Sequence, residues 1–291
     1  MLTVYCALFA EAQEVIRIFQ LKKENAHHHF EVFSDEGNGI RVVITGVGAI
    51  AASTAVAEIS TCYPPKSTDL ICNFGSCGTA ERIPVGSVYL CNKVTEEISG
   101  KTFYPDICYR NPFEEAELVS GPRIQTTAGM ELDRKEERIC LYDMEAAAIY
   151  QTANYYYGPH QMIFLKAVSD YGIDAKQKDV MRNHMAALMK SAAREVCPYF
   201  EKLCKISRGQ EKEHSGQMLL RKKAEQEARL LGEELHCSAV MRGELQQLLF
   251  YWNLTGMDYE TVVEDYRRQG RLPAKDKREG KRILDELKER L

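Results

Sequence analysis

The strongest constraint on this chain is an alternation that persists through its first two hundred residues. Apolar, β-branched runs that end in glycine or small residues are followed by stretches with helical spacing. "TVYCALF" leads into the amphipathic "EAQEVIRIF", "IRVVITGVG" into the small-residue stretch "AIAASTAVAEIS", and "LICNFGSCG" into a glycine-rich turn. "GSVYLCNKVTEE" reads as a further strand, "RICLYDM" enters the helix "EAAAIYQTANYY", and "QMIFLKAVSD" precedes a long helical stretch through "PYFEKLC". Strands separated by helices fold as an α/β domain around a largely central sheet.

The texture changes near residue 206. β-branched runs disappear, and apolar residues recur at helical spacing within a highly charged background. We expect two units: residues 1–205 as the α/β domain and 206–291 as an all-helical appendage. The appendage carries 17 Lys+Arg against 16 Asp+Glu, a near cancellation that argues against a nucleic-acid grip. After the long charged stretch, two or three more helices are expected. Trp252, with Phe250 and Tyr251, reads as core of that module.

The formal net charge of -4 gives no reason to expect nucleic-acid or membrane binding. No apolar stretch reaches the roughly 20 residues that span a bilayer. The opening "MLTVYCALFAEAQEV" lacks a basic segment, and Glu11 interrupts its apolar run, so no secretion signal is expected. The 10 cysteines include no C-x-x-C pair, which suits reduced thiols in the cytoplasm. The same lack of paired ligands argues against zinc, and no metal or cofactor is expected. The His27-His28-His29 tract reads as a solvated loop before the strand "FEVFS".

Three acidic residues stand where elements end. Glu11 follows the first strand, Glu145 opens the helix after "ICLYDM", and Asp170 closes "MIFLKAVSD". Each alone is accounted for by helix capping or by the helix dipole. Together, each beside a glycine- or alanine-rich turn, they suit a shared crevice at the strand ends of an α/β sheet. "GVGAIA" lacks the third glycine of a dinucleotide fingerprint, and the spacing in "GSCG" is wrong for a serine nucleophile elbow.

The order "ALFAEA", "TGVGAIAAS", "NFGSCGT", "DMEAAAI", "KAVSD" resembles the purine and uridine phosphorylase superfamily, and within it the methylthioadenosine/S-adenosylhomocysteine nucleosidase branch. The resemblance covers about residues 1–205, and "DMEAAAI" followed by "SD" is its most specific part. It implies a nucleoside phosphorylase-like, three-layer α/β fold with a central mixed sheet. It also implies hydrolysis of the N-glycosidic bond of a purine nucleoside, a 5'-modified adenosine being the leading candidate. By the same resemblance, Glu145 holds the sugar hydroxyls, Asp170 gives or shares a proton with purine N7, and Glu11 positions and deprotonates the attacking water. Ser76, Met144, Gly78 and Ser169 belong to substrate binding. The implied partners are a small-molecule nucleoside and further copies of the same chain, as a dimer or larger.

Two alternatives stand beside hydrolysis. A phosphorylase needs a cation for phosphate. Asn73-Phe74 stands where its arginine is usual, leaving Arg41, Arg82 or Arg123 to supply the charge. A non-catalytic nucleoside-binding or scaffold protein is the other. Between Gly78 and Glu145 the chain is shorter than the family pattern, and Phe103, Tyr104 and Phe113 are the aromatic residues left upstream to stack on a base.

Overall fold

The computed structural model describes residues 1–24, 28–126, 138–172 and 178–289. His27 and the 127–137 part of the shortened segment lie outside them. The chain divides into two compact units, Met1–Gly209 and Gln210–Leu291.

The first unit carries ten strands: β1 (Leu2–Cys6), β2 (Lys22–Lys23), β3 (Glu31–Asp35), β4 (Ile40–Ile44), β5 (Leu70–Thr79), β6 (Val88–Glu96), β7 (Thr102–Phe103), β8 (Glu114–Ser120), β9 (Cys140–Asp143) and β10 (Met162–Asp170). Its helices are α1 (Phe9–Ile18), α2 (Ala49–Cys62) and α3 (Ala146–Ala153), followed by the long α4 (Lys178–Glu234). The strands form one mixed sheet in the order β10-β6-β8-β9-β5-β1-β4-β3-β2, with β7 on β6. β10 also pairs with β5 in parallel. Strands β5, β10, β6, β8 and β9 therefore close into a ring, from which β1, β4, β3 and β2 run out as an open sheet.

Alternation along each strand sorts its residues between two cores. Leu2, Val4 and Cys6 of β1, Ile40 and Val42 of β4, and Leu70, Cys72 and Phe74 of β5 join Ala12 and Val15 of α1 and Ala193 and Phe200 of α4. The intervening Tyr5, Val43 and Ile71 face Ala52, Ala55 and Val56 of α2 and Ala146, Ile149 and Ala153 of α3. Strands buried on both faces need continuous apolar runs, as this sequence has. The result is helix, sheet, helix in three layers. Ala146 and Ala147, which open α3, are buried in the core shared with α2, where small side chains let two helices approach closely.

The second unit is a helical cluster formed by the last turns of α4 with α5 (Ala239–Thr255), α6 (Tyr259–Arg268) and α7 (Lys277–Lys288). The count of three further helices matches the upper sequence expectation. Ser238, Asp258 and Asp276 cap them by accepting from Met241, Thr261 and Arg278 N–H groups, the expected work of such residues at a helix start. Ala224, Ala228, Leu231 and Leu235 recur at helical spacing into a core with Leu245, Leu249, Trp252, Ile283 and Leu284. Trp252 is fully buried, whereas Tyr251 beside it is exposed. No described helix is long and apolar enough to cross a membrane.

Candidate active site

The ends of β5, β9 and β10 converge with the start of α1 around a cavity of about 200 Å³. Glu11, Ser76, Gly78, Met144, Glu145, Ser169 and Asp170 all line it, so the seven residues picked out in the sequence meet in one place. Ala7, Leu8, Val47, Ile124 and Met185 supply apolar wall, and Arg123 and Gln125 a polar stretch.

Glu11 is 2 % exposed. Its Oε2 accepts the Leu8 N–H at 3.0 Å, capping its own helix from the third helical position. Its Oε1 accepts from the Ser76 N–H at 2.8 Å and the Ser76 hydroxyl at 2.7 Å. This acid therefore caps α1 and also reaches across to β5. Gly75 makes this possible through space, because a Cβ there would stand 3.2 Å from Oε1. A carboxylate offers about four acceptor sites. Three are used, and one remains for a ligand or water.

Glu145 sits at the N-cap of α3, 7 % exposed. Its Oε1 accepts the Gly48 N–H at 2.7 Å. Gly48 has φ +97° with open space around it, so here the backbone conformation, and not crowding, requires glycine. Burial, and next the Asp143 carboxylate, push Glu145 up to about 7, against the pull of Lys166 and the Gly48 N–H.

Asp143 works differently from its neighbour two residues on. Its Oδ2 accepts the Ala146 N–H at 2.9 Å and pairs with Lys166 Nζ at 2.7 Å. Both side chains are 1 % exposed. Burial alone would lower the Lys166 pKa, but Asp143, Glu145 and Glu11 outweigh it and hold the ammonium charged. Lys166 was not anticipated from sequence. Its only signal is a lone cation inside the apolar run "MIFLKAVSD".

Asp170 is aimed by an irregularity in the β10–β5 pairing between Val168 and Asp170. Its Oδ1 accepts the Gly172 N–H at 2.9 Å, and Oδ2 lies 2.6 Å from Ser169 Oγ. The same hydroxyl lies 3.0 Å from the Cys77 carbonyl, which fixes the Ser169 side chain between the two strands.

Of the three candidate arginines, Arg123 lines the cavity. Arg41 is instead buried over the Tyr63 ring, 3.6 Å from its centroid, and bonded to Glu24. Arg82 is absent from the wall. Nor do the anticipated aromatics reach it: Phe103 stacks on Tyr150 and Phe113 packs edge-on against Tyr199, while Tyr104 is exposed elsewhere. Tyr142 is the one aromatic residue in the wall among the described residues. His28 corrects the solvated-loop expectation, since its side chain is 7 % exposed between Glu24 and Glu58 and bonds Tyr63 at 3.0 Å. His29 is exposed and reaches Glu58.

No family model matches the sequence, and no curated protein does. Solved structures do match. A 5'-methylthioadenosine/S-adenosylhomocysteine nucleosidase from Neisseria meningitidis, in complex with methylthio-immucillin-A, is 21 % identical with TM-score 0.56, over 70 % of this chain and 98 % of that one. The Helicobacter pylori enzyme of the same name is 11 % identical with TM-score 0.59, over 69 % and 97 %. The 5'-methylthioadenosine nucleosidase of Arabidopsis thaliana is 18 % identical with TM-score 0.58, over 69 % and 95 %. At these identities the likeness is one of fold: the chain contains the three-layer α/β fold of these nucleosidases.

Proposed function

We propose that the protein is an N-ribosyl hydrolase that cleaves a purine nucleoside to free base and ribose derivative. The observation that carries this is the meeting of Glu11, Glu145 and Asp170, from three separate elements, in one cavity with Ser76. Glu145 takes the sugar hydroxyls, its second oxygen being free of the Gly48 bond. Glu11, held by Leu8 and Ser76, keeps one acceptor site for water. As the C1'–N9 bond breaks, its electron pair goes to the base, and Asp170 gives or shares a proton with N7. The water oxygen bonds to C1' and its proton passes to Glu11. The sugar passes through a cation-like transition state, which flanking carboxylates stabilise.

The substrate class we favour is a 5'-modified adenosine. The resemblance points to it, and so do the names of the Neisseria and Arabidopsis neighbours. Apolar Leu8, Val47 and Met185 are available for an apolar 5' group. We further propose a homo-oligomer. Val47 of the cavity wall and Ile50 three residues on, exposed by 53 % and 85 %, are the apolar surface that a second copy would cover.

Arg123 favours a second reading, a phosphorylase, because it puts a cation in the wall. Glu11, Asp143, Glu145 and Asp170 stand in the same wall, and so many carboxylates suit water better than phosphate. The test is chromatography of base released from methylthioadenosine, S-adenosylhomocysteine, 5'-deoxyadenosine, adenosine, inosine and uridine, with and without phosphate. Release without phosphate is expected. Release only with phosphate makes the protein a phosphorylase, and binding without release makes it a nucleoside-binding protein.

A further inference from the structure

We propose that Lys166 is a positioning residue for the sugar-binding carboxylate: buried and paired with Asp143 of the cavity wall, it opposes the carboxylates that crowd Glu145 and so sets the lower pH limit of the site. This rests on the nucleosidase reading for the role of Glu145, but not for the electrostatics.

The geometry is unusual for a lysine. Lys166 stands in mid-strand on the face of β10 shared with Phe164 and Val168, at 1 % exposure. It is in register with Gly75 on β5, the residue beside Glu11. Its ammonium has three protons. One meets Asp143 Oδ2 at 2.7 Å. Asp143 Oδ1 has no hydrogen-bond partner among the described residues although it is buried. Desolvating such a pair costs several kcal/mol per ion, so stability alone gives a weak reason to keep it.

The groups around Glu145 explain what the pair does. From β9 comes Asp143, from α1 Glu11 and from the end of β10 Asp170, all in the cavity wall. The Gly48 N–H approaches from the turn before α2, and Arg123 follows β8. Cys77 and Tyr142 are the other titratable residues of the wall. Three carboxylates thus surround a fourth that must accept from two sugar hydroxyls. A protonated Glu145 would have lost part of that acceptor capacity. Lys166 is the buried cation that opposes this repulsion. Asp143 raises the proton affinity of Glu145, Lys166 lowers it, and the two act on Glu145 with opposite signs.

Those opposite signs give the test. The pH dependence of kcat/KM for base release and of nucleoside affinity is followed from pH 5 to 9. Lys166→Met leaves Asp143 unopposed, and the acid limb of both profiles is expected to move up by about one unit or more. Asp143→Asn leaves Lys166 unopposed, and the limb is expected to move down by a similar amount. Lys166→Arg restores the wild-type position. A merely structural pair would lower activity at every pH in both variants and move neither limb, which would overturn the proposal, as would two shifts of the same sign. Asp143→Asn conserves volume and an acceptor for the Ala146 N–H, so the downward arm stands even where Lys166→Met does not fold. If the protein binds nucleoside and releases no base, the nucleosidase reading fails while the affinity profile still decides on Lys166. The pH dependence of the unfolding midpoint decides it without any ligand.

Discussion

Glu11 and Ser76 are joined twice: one carboxylate oxygen, Oε1, accepts both the backbone N–H and the hydroxyl of Ser76, at 2.8 and 2.7 Å. The contact spans 65 residues of sequence and ties the first turn of α1 to β5 at the cavity wall. Replacing Glu11 by Gln preserves the side-chain length and one acceptor for Ser76, but removes the base. Single-turnover base release is expected to fall by about 10²–10⁴-fold, the usual contribution of a general base. Nucleoside affinity measured by calorimetry is expected to stay within a few fold. Unchanged release would remove Glu11 from the chemistry.

Gly75 tests the same contact from behind. A Cβ at this position would stand 3.2 and 3.3 Å from the two Glu11 oxygens. Those oxygens are held by Leu8 and Ser76 and have little freedom to yield. Gly75→Ala is expected to displace the carboxylate by a few tenths of an ångström and to cost roughly tenfold or more in kcat. The circular dichroism spectrum should stay unchanged. Full activity in this variant would show that the position of Glu11 is not critical.

Much of this could be read along the chain, and for identifiable reasons. Strands β1, β4, β5 and β10 are buried on both faces along most of their length, so their apolar runs are long. An acid at the end of such a run, like Asp170 after "FLKAVS", has few structural reasons to be there. Lys166 was illegible because its partner is set by sheet order: β9 and β10 are separated by β5 on one side of the ring and by β6 and β8 on the other. Sequence spacing carries no trace of a contact made across a ring of strands. His28 was misread for a similar reason. Three histidines in a row resemble solvated loop, and the burial comes from Glu58 and Tyr63 of α2 and its C-terminal edge.

The proton on Glu145 also has a consequence for stability. Burial and Asp143 hold its folded pKa at about 7, above the unfolded value of about 4.3. Between these values the folded protein binds more protons than the unfolded chain, so stability falls as pH rises. The loss is complete above the folded pKa and amounts to about 4 kcal/mol. Glu145→Gln removes this slope. In urea titrations the variant is expected to gain stability relative to wild type from pH 5 to pH 7.5, with no further gain above pH 8. A difference between the two proteins that does not change with pH would contradict a raised Glu145.

The helical unit carries its own reporter. Trp252 is the single tryptophan of the chain, fully buried and stacked at 6.4 Å on Tyr259. Its fluorescence therefore follows the unfolding of residues 210–291. Leu284 of α7 belongs to the same core and is fully buried. Truncating such a leucine to alanine removes buried apolar surface and leaves a cavity, at a cost of about 2–5 kcal/mol. Leu284→Ala is expected to lower the urea midpoint read at Trp252 by that equivalent. Leu254, which is 46 % exposed on α5, serves as the control, and Leu254→Ala should move the midpoint little. Equal effects from the two substitutions would mean that α7 does not pack on the tryptophan helix as described.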